Sequence, residues 1–153
     1  MVNKLELIPL SPGNVDFARR IRNRYRDNFI DSHEITREEH LAWFARYLDN
    51  FWDVTYVIDV GGVSIGTIAI CSINTVARTA DIARVVVDED HRRQGIASKA
   101  MGLVMDYSKK HLDVDTLHTK VRTTNVPALG LFSKAGFTFN GKVRNGVIYG
   151  TKS

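Results

Sequence analysis

The stretch Arg92-Arg93-Gln94-Gly95-Ile96-Ala97-Ser98 has residue types and spacing suited to holding a polyanion. It lies between a β-like run, Ile82 to Val87, and a helical pattern that continues to about His111. At a strand-to-helix turn, consecutive backbone N–H groups form a concave nest, and the helix dipole adds positive potential. Gly95 lets the backbone approach a ligand closely, and two arginines add full charges, so the chemistry indicated is pyrophosphate binding. The plainer reading of Arg92 and Arg93 is a pair of solvated surface charges.

A second segment sharpens the first: Asn125-Val-Pro-Ala128-Leu-Gly-Leu131-Phe132-Ser-Lys134-Ala-Gly136-Phe137. The pattern Arg92-x-x-Gly95-x-Ala97 resembles the acyl-CoA pyrophosphate loop of the GNAT (GCN5-related) N-acetyltransferases. The later segment is similar to that family's Asn-x-x-Ala…Gly-Phe element. The resemblance implies acetyl-CoA as co-substrate and direct acetyl transfer to a primary amine. It implies pantetheine threading a gap between splayed strands, with main-chain contacts from Val85 and Val87, and the pyrophosphate on Arg92, Arg93, Gln94, Gly95, Ile96, Ala97 and Ser98. Asn125 either caps its helix or bonds the pantetheine arm. Lys134 either approaches the CoA phosphates or is an exposed helix lysine.

The sequence departs from the family at one place. Where a tyrosine often protonates the departing thiolate, this chain has Phe132, and a phenyl ring donates no proton. Tyr149, Ser133 or water is left for that task. The base that deprotonates the amine is sought in His118 and Asp81, or in water. Each also has a plainer reading, as a satisfied strand histidine and as a surface carboxylate. A strand amide at Val85 or Val86 would hold the oxyanion. Direct transfer requires no thiol nucleophile, so Cys71 reads as a small apolar strand residue.

The segment Arg22-Asn23…Phe29-Ile-Asp-Ser32…Ile35-Thr36…His40…Trp43, with Leu117-His118-x-x-Val121, is similar to amino-sugar N-acetyltransferases within the same family. That likeness implies a nucleotide-linked amino sugar as acceptor, with Phe29 and Trp43 as an aromatic wall. Arg22, within the cluster Arg19, Arg22, Arg24 and Arg26, would meet phosphate. Two rival readings stand beside it: acetylation of a protein N-terminus, as in the ribosomal-protein branch, and a CoA-binding module with little catalysis.

These groups need elements to hold them. Leu5 to Leu10 reads as a strand, and Val15, Ala18, Ile21 and Tyr25 recur at helical spacing. Thr36-Arg-Glu-Glu39 is a capping box opening a second helix, whose apolar face would include Leu41, Phe44 and Leu48, with Trp43 and Tyr47 beside it. Val54 to Val60 and Val63 to Ile73 are strands joined at Gly61-Gly62, and a third runs from Thr79 to Val87. Ile96, Ala97, Ala100, Met101 and Val104 mark the buried stripe of a long helix. Thr116 to Arg122 is the next strand, and Asn125 with Pro127 opens the last helix. Gly136 ends that helix in a left-handed position, with Phe132 at its C3 touching Phe137 at C″. Phe137 to Lys142 and a short strand after Asn145-Gly146 close the chain. The expected class is α+β: one domain over residues 1–153, with a mixed, mostly antiparallel sheet of about seven strands and about four helices.

Composition bounds the function. The chain has 153 residues, 44% hydrophobic and 25% charged, which describes an ordinary globular domain. Its formal net charge of +4 comes without any run of five or six basic residues, which argues against nucleic acid. No apolar run approaches a membrane span and no signal-peptide core is visible, so a cytoplasmic protein is expected. The single cysteine agrees with a reducing compartment. His33, Glu34 and His40 are not spaced as metal ligands, and no metal is expected. The expected state is a monomer or homodimer.

Overall fold

The computed structural model describes residues 4–153. Seven strands form one sheet: β1 (Leu5–Pro9), β2 (Val54–Val60), β3 (Val63–Asn74), β4 (Thr79–Val87), β5 (Thr116–Arg122), β6 (Thr138–Arg144) and β7 (Val147–Lys152). Their spatial order is β1-β2-β3-β4-β5-β7-β6, with every neighbouring pair antiparallel except β4 with β5. Four helices complete the fold: α1 (Val15–Arg24), α2 (Arg37–Leu48), α3 (Ile96–His111) and α4 (Val126–Lys134). Among the described residues no helix is long and apolar enough to cross a membrane.

Alternation along β2 assigns the two faces of the sheet. Ile58 packs in the larger core with Met101, Val104, Phe132 and Phe137, whereas Val57 joins Leu10, Val15, Ala18 and Phe44 beneath α1 and α2. The stripe expected on α3 is present, with Ile96, Ala100, Met101 and Val104 all buried. On α2 the expected face is only partly right: Phe44 is buried, but Leu41 and Leu48 are 50% and 59% exposed. The helix instead turns an aromatic edge inward, with Trp43 stacked between His40 and Tyr47 at 5.1 Å from each. Helical spacing places residues 40, 43, 44 and 47 on one side, and leucines at 41 and 48 fall outside it.

Turn chemistry follows the sequence closely. Gly61 and Gly62 adopt φ of 61° and 88°, and Asn145 and Gly146 adopt 53° and 73°, as primed hairpin turns require. The end of α4 satisfies its carbonyls in a double bond: the Phe137 amide donates to the Phe132 carbonyl and the Gly136 amide to that of Ser133. The rings of Phe132 and Phe137 then meet edge to face at 5.0 Å. Thr36 caps α2 by accepting from the Glu39 amide at 3.1 Å.

Two irregularities in β4 shape the middle of the sheet. Pairing of β3 with β4 shifts between Thr67↔Val86 and Ala69↔Ala83, so that Ile68 alone faces Arg84 and Val85. Arg84 takes the left-handed φ of 55° at this bulge, and its carbonyl accepts a 2.6 Å hydrogen bond from Thr67 Oγ1. On the other side, β4 pairs with β5 only at Thr79↔Thr116, Ala80↔Leu117 and Asp81↔His118. Beyond Asp81 the two strands part, linked by one 3.0 Å bond from Thr119 Oγ1 to the Ile82 carbonyl.

Gly66 stands where the bulge brings the chains close: a Cβ there would lie 2.3 Å from the Val86 carbonyl oxygen. Backbone cannot yield as a flexible side chain can. Gly66→Ala is therefore expected to destabilise the fold by about 1–3 kcal/mol, the usual range for overpacking, measured by urea denaturation.

Candidate active site

A cavity of about 890 Å³ opens on the α1–α2 face, reaching from α2 across the bulge of β4 to the start of α4. Of the residues expected in a site, Arg22, Phe29, Trp43, Asp81, Val85, Asn125 and Phe132 line it. His118, Val87, Lys134 and the loop from Arg92 to Ser98 do not. The residues expected in a site thus divide between the cavity and the turn before α3.

Asp81 lies in the wall where β4 and β5 begin to part, opposite His118 in register. Burial pushes its carboxyl above the usual carboxylate range, and the nearby Lys120 and His118 pull it partly back. A carboxylate made more basic by burial suits proton abstraction. His118, paired with Asp81 in register, has its Nδ1 3.3 Å from Thr151 Oγ1 on β7. Of the two side chains considered for taking the proton, Asp81 lines the cavity and His118 does not, although it lies close enough to lower the Asp81 pKa.

The cavity floor holds a cation that sequence reasoning missed. Arg84 forms a fork on Asp53 with bonds of 2.7 and 2.9 Å and donates a third, at 2.8 Å, to Thr55 Oγ1. Its guanidinium also lies 5.3 Å from the centre of the Trp43 ring. The available signal was a charged residue within the apolar run Ile82-Ala-Arg-Val-Val-Val87.

Over the cavity runs the segment 29–36, held largely through its backbone. Asn23 pairs with both the amide and the carbonyl of Ile35 at 2.8 Å. Arg22 donates to the carbonyls of Asp31 and His33 and stacks on Phe29 at 5.2 Å. Arg122 donates to the Asp27 and Phe29 carbonyls from β5. This corrects the expectation for the arginine cluster. Arg22 is an organiser of the cavity wall, Arg24 pairs with Asp88 and Glu89, Arg26 with Glu34, and Arg19 with Asp16. Arginine's planar fork matches paired carbonyls as readily as phosphate oxygens, and these carbonyls are local.

Asn125 caps α4, accepting from the Ala128 amide at 3.3 Å, and its amide nitrogen donates to the Asn28 carbonyl at 3.4 Å. The capping reading is thereby present. Phe132 is 3% exposed and presents no donor to the cavity it lines.

The turn before α3 is geometrically distinct. Arg93 and Gly95 have φ of 63° and 75°, and a Cβ on Gly95 would meet nothing within 4 Å. Among the described residues none accepts a hydrogen bond from the amides of Arg93 to Ser98. Arg92 is fixed in place, donating to the Val87 carbonyl at 2.9 Å and stacking 4.7 Å over Tyr25. Six free amides thus lead into and open a 16-residue helix, at its positive end.

A model of the acetyltransferase (GNAT) family matches residues 18–137, so the chain belongs to that family. A spermidine N(1)-acetyltransferase of Escherichia coli K12 is 27% identical over 88 residues, covering 58% of this chain and 47% of that protein. An N-alpha-acetyltransferase of Saccharolobus solfataricus is 28% identical over 104 residues, 68% of this chain and 60% of its own length. The chain thus spans about half the length of the first relative. Among solved structures, a spermidine N-acetyltransferase from Vibrio cholerae in complex with CoA and spermine superposes with a TM-score of 0.83 at 20% identity, over 97% and 94% of the two chains. A domain from Methanocaldococcus jannaschii reaches 0.84 at 15% identity over 98% of both. At these identities the likeness establishes the fold.

His33 bridges Asp31 at 2.6 Å and Glu39 at 3.1 Å. These bonds raise its pKa, and the same bonds lower those of Asp31 and Glu39. The histidine's contribution is full below its ordinary pKa and lost as pH rises through the raised one. The carboxylates' contribution is lost as pH falls through their lowered values. Segment 29–36 should therefore be best held between those limits. Amide exchange there, corrected for intrinsic rate, should be faster at pH 8.5 than at pH 6, and His33→Gln should abolish the difference.

Proposed function

We propose that the chain transfers an acetyl group from acetyl-CoA to a primary amine, with acetyl-CoA across the β4–β5 gap and the amine in the cavity beside Asp81. The observation that carries this reading is the coincidence of two features on one strand. The gap opening after Asp81 leaves the β5-facing edge of β4 without a strand partner, and β4 leads to the free amides of Arg93 to Ser98. A ligand with an amide-bearing arm and a pyrophosphate would use both, adding as a strand to β4 and placing its phosphates on α3. The residues fit CoA: Gly95 offers open space at a left-handed backbone position, and Arg92 and Arg93 supply charge. When bound, acetyl-CoA supplies the thioester carbonyl that the amine attacks.

The chain's own residues have distinct parts in this reading. Asp81 takes the proton from the ammonium form of the acceptor, directly or through water. The Val85 amide, at the bulge and on the cavity wall, offers the hydrogen bond for the carbonyl oxygen. Phe132 closes the gap against α4 and provides no acid. Neither Tyr149 nor Ser133 lines the cavity, so solvent protonates the thiolate. The amino-sugar acceptor loses its anchor, because Arg22 is committed to carbonyls of the chain, and the relatives described above act on spermidine or protein N-termini. A small-molecule amine is the acceptor class proposed. Acetylation of a protein N-terminus is the second reading, favoured by the archaeal relative.

Two variants test this. Gly95→Asp places a carboxylate, in a backbone conformation that resists side chains, where phosphate would sit. Calorimetry should show CoA affinity falling at least tenfold in a folded protein; wild-type affinity would refute the loop assignment. Asp81→Asn should lower kcat by about 10²–10⁴ with CoA affinity unchanged. Because burial raises the Asp81 pKa, ionising it opposes folding above the ordinary carboxylate pKa. The same variant should therefore raise Tm at pH 7, with the gain shrinking as pH falls through the raised pKa toward the ordinary carboxylate pKa.

A further inference from the structure

We infer that the acceptor carries an anionic group, carboxylate or phosphate, beside its primary amine, and that Lys120 is the residue that selects for it. This rests on the acetyl-transfer reading above and names the acceptor class of the same cavity. Most charges in the cavity already have partners within the chain. Three carboxylates line it: Asp31, Glu39 and Asp81. Asp31 and Glu39 both close on His33, at 2.6 and 3.1 Å. Asp81 sits within the field of Lys120 and His118 and is the group assigned to the reacting amine. Asp31 and Glu39 already share His33 and Asp81 meets the reacting amine, so a second ammonium would have to compete with His33 for its acid.

The cations are disposed in the opposite way. Arg84 is neutralised by its fork on Asp53, and Arg22 is taken up by the Asp31 and His33 carbonyls. Lys120 on β5 and Arg46 on α2 also line the cavity, and among the described residues neither forms an ion pair. Lys120 lies two residues beyond His118, past the last pairing of β5 with β4, where the gap has opened. Its ammonium lies 5.9 Å from the Tyr149 ring on the neighbouring strand. A flexible ammonium beside the amine-binding carboxylate matches an amine with an anion a few bonds away, the charge pattern opposite to that of a polyamine. A second ammonium placed there would meet Lys120 with no compensating acid, a repulsive element that discriminates as effectively as a new attraction.

A size-matched acceptor series tests this: ethanolamine as the neutral reference, O-phosphoethanolamine, β-alanine, putrescine and spermidine. Thiol release from acetyl-CoA gives kcat/KM for each on the wild type and on Lys120→Glu. At low salt O-phosphoethanolamine or β-alanine should exceed ethanolamine at least tenfold, and whichever leads identifies phosphate or carboxylate as the recognised group. Putrescine and spermidine should fall below ethanolamine. Lys120→Glu should reverse the order of anionic and cationic amines while leaving CoA affinity unchanged. An effect transmitted only through Asp81 would depress all five amines equally and overturn the assignment of Lys120. Spermidine or putrescine outperforming ethanolamine on the wild type would overturn the acceptor class. If none of the amines is acetylated, the transfer reading itself fails. Calorimetric titration of the same amines into CoA-saturated protein then decides the inference independently: tighter binding of the anionic members supports it, and equal or absent binding overturns it.

Discussion

The fork between Arg84 and Asp53 is the interaction on which the centre of this molecule depends. Arg84 occupies a left-handed backbone position at a bulge, a conformation that a bulky residue adopts only when its surroundings compel it. Two bonds to Asp53, one to Thr55 and a stack on Trp43 hold the side chain, and Thr67 holds the carbonyl. The fork spans β4, the approach to β2 and the aromatic edge of α2. It therefore fixes together the strand that would present backbone to a thioester and the helix that walls the acceptor. Removing Asp53 would leave a largely desolvated cation under the cavity, which is more damaging than losing the pair's attraction.

The parting of β4 from β5 is the second constraint, and the irregularities of the sheet converge on it. A parallel pair three residues long gives up the remaining ladder, which costs hydrogen bonds unless another group replaces them. Thr119 replaces one, by its hydroxyl on the Ile82 carbonyl. The others face the cavity. Strand β7 then adds to the far edge of β5 along its whole length, from Leu117↔Lys152 to Arg122↔Val147, so that β5 is held from one side while its other edge is open. A sheet can keep a gap in its middle only when both flanking strands are anchored in this way.

The acceptor class proposed above rests on unsatisfied charge. Counting the charged residues along the cavity would suggest a nearly balanced site. Sorting them by partner gives a different picture, because Asp31 and the α2 residue Glu39 both serve His33 and two arginines serve the protein itself. A fold shared with a spermidine N-acetyltransferase does not by itself assign an acceptor, since function resides in the site and not in the scaffold.

The sequence by itself determined the secondary elements, the turns and the free-amide start of α3. All of these rest on local physics: glycines at positive φ, a capping threonine, helical stripes, and amides freed at a helix start. The α+β class, the seven strands and the Phe132–Phe137 lock at the end of α4 were legible for that reason. Tertiary structure alone decided what depends on distant partners. It set the place of β7 between β5 and β6, the inward face of α2 and the commitment of Arg22 to carbonyls. It also brought Asp81 opposite His118 across the parallel pair and seated Arg84 on Asp53, 31 residues away in sequence. A side chain's charge is visible in the sequence, but whether that charge is already answered is fixed only when the chain folds around it.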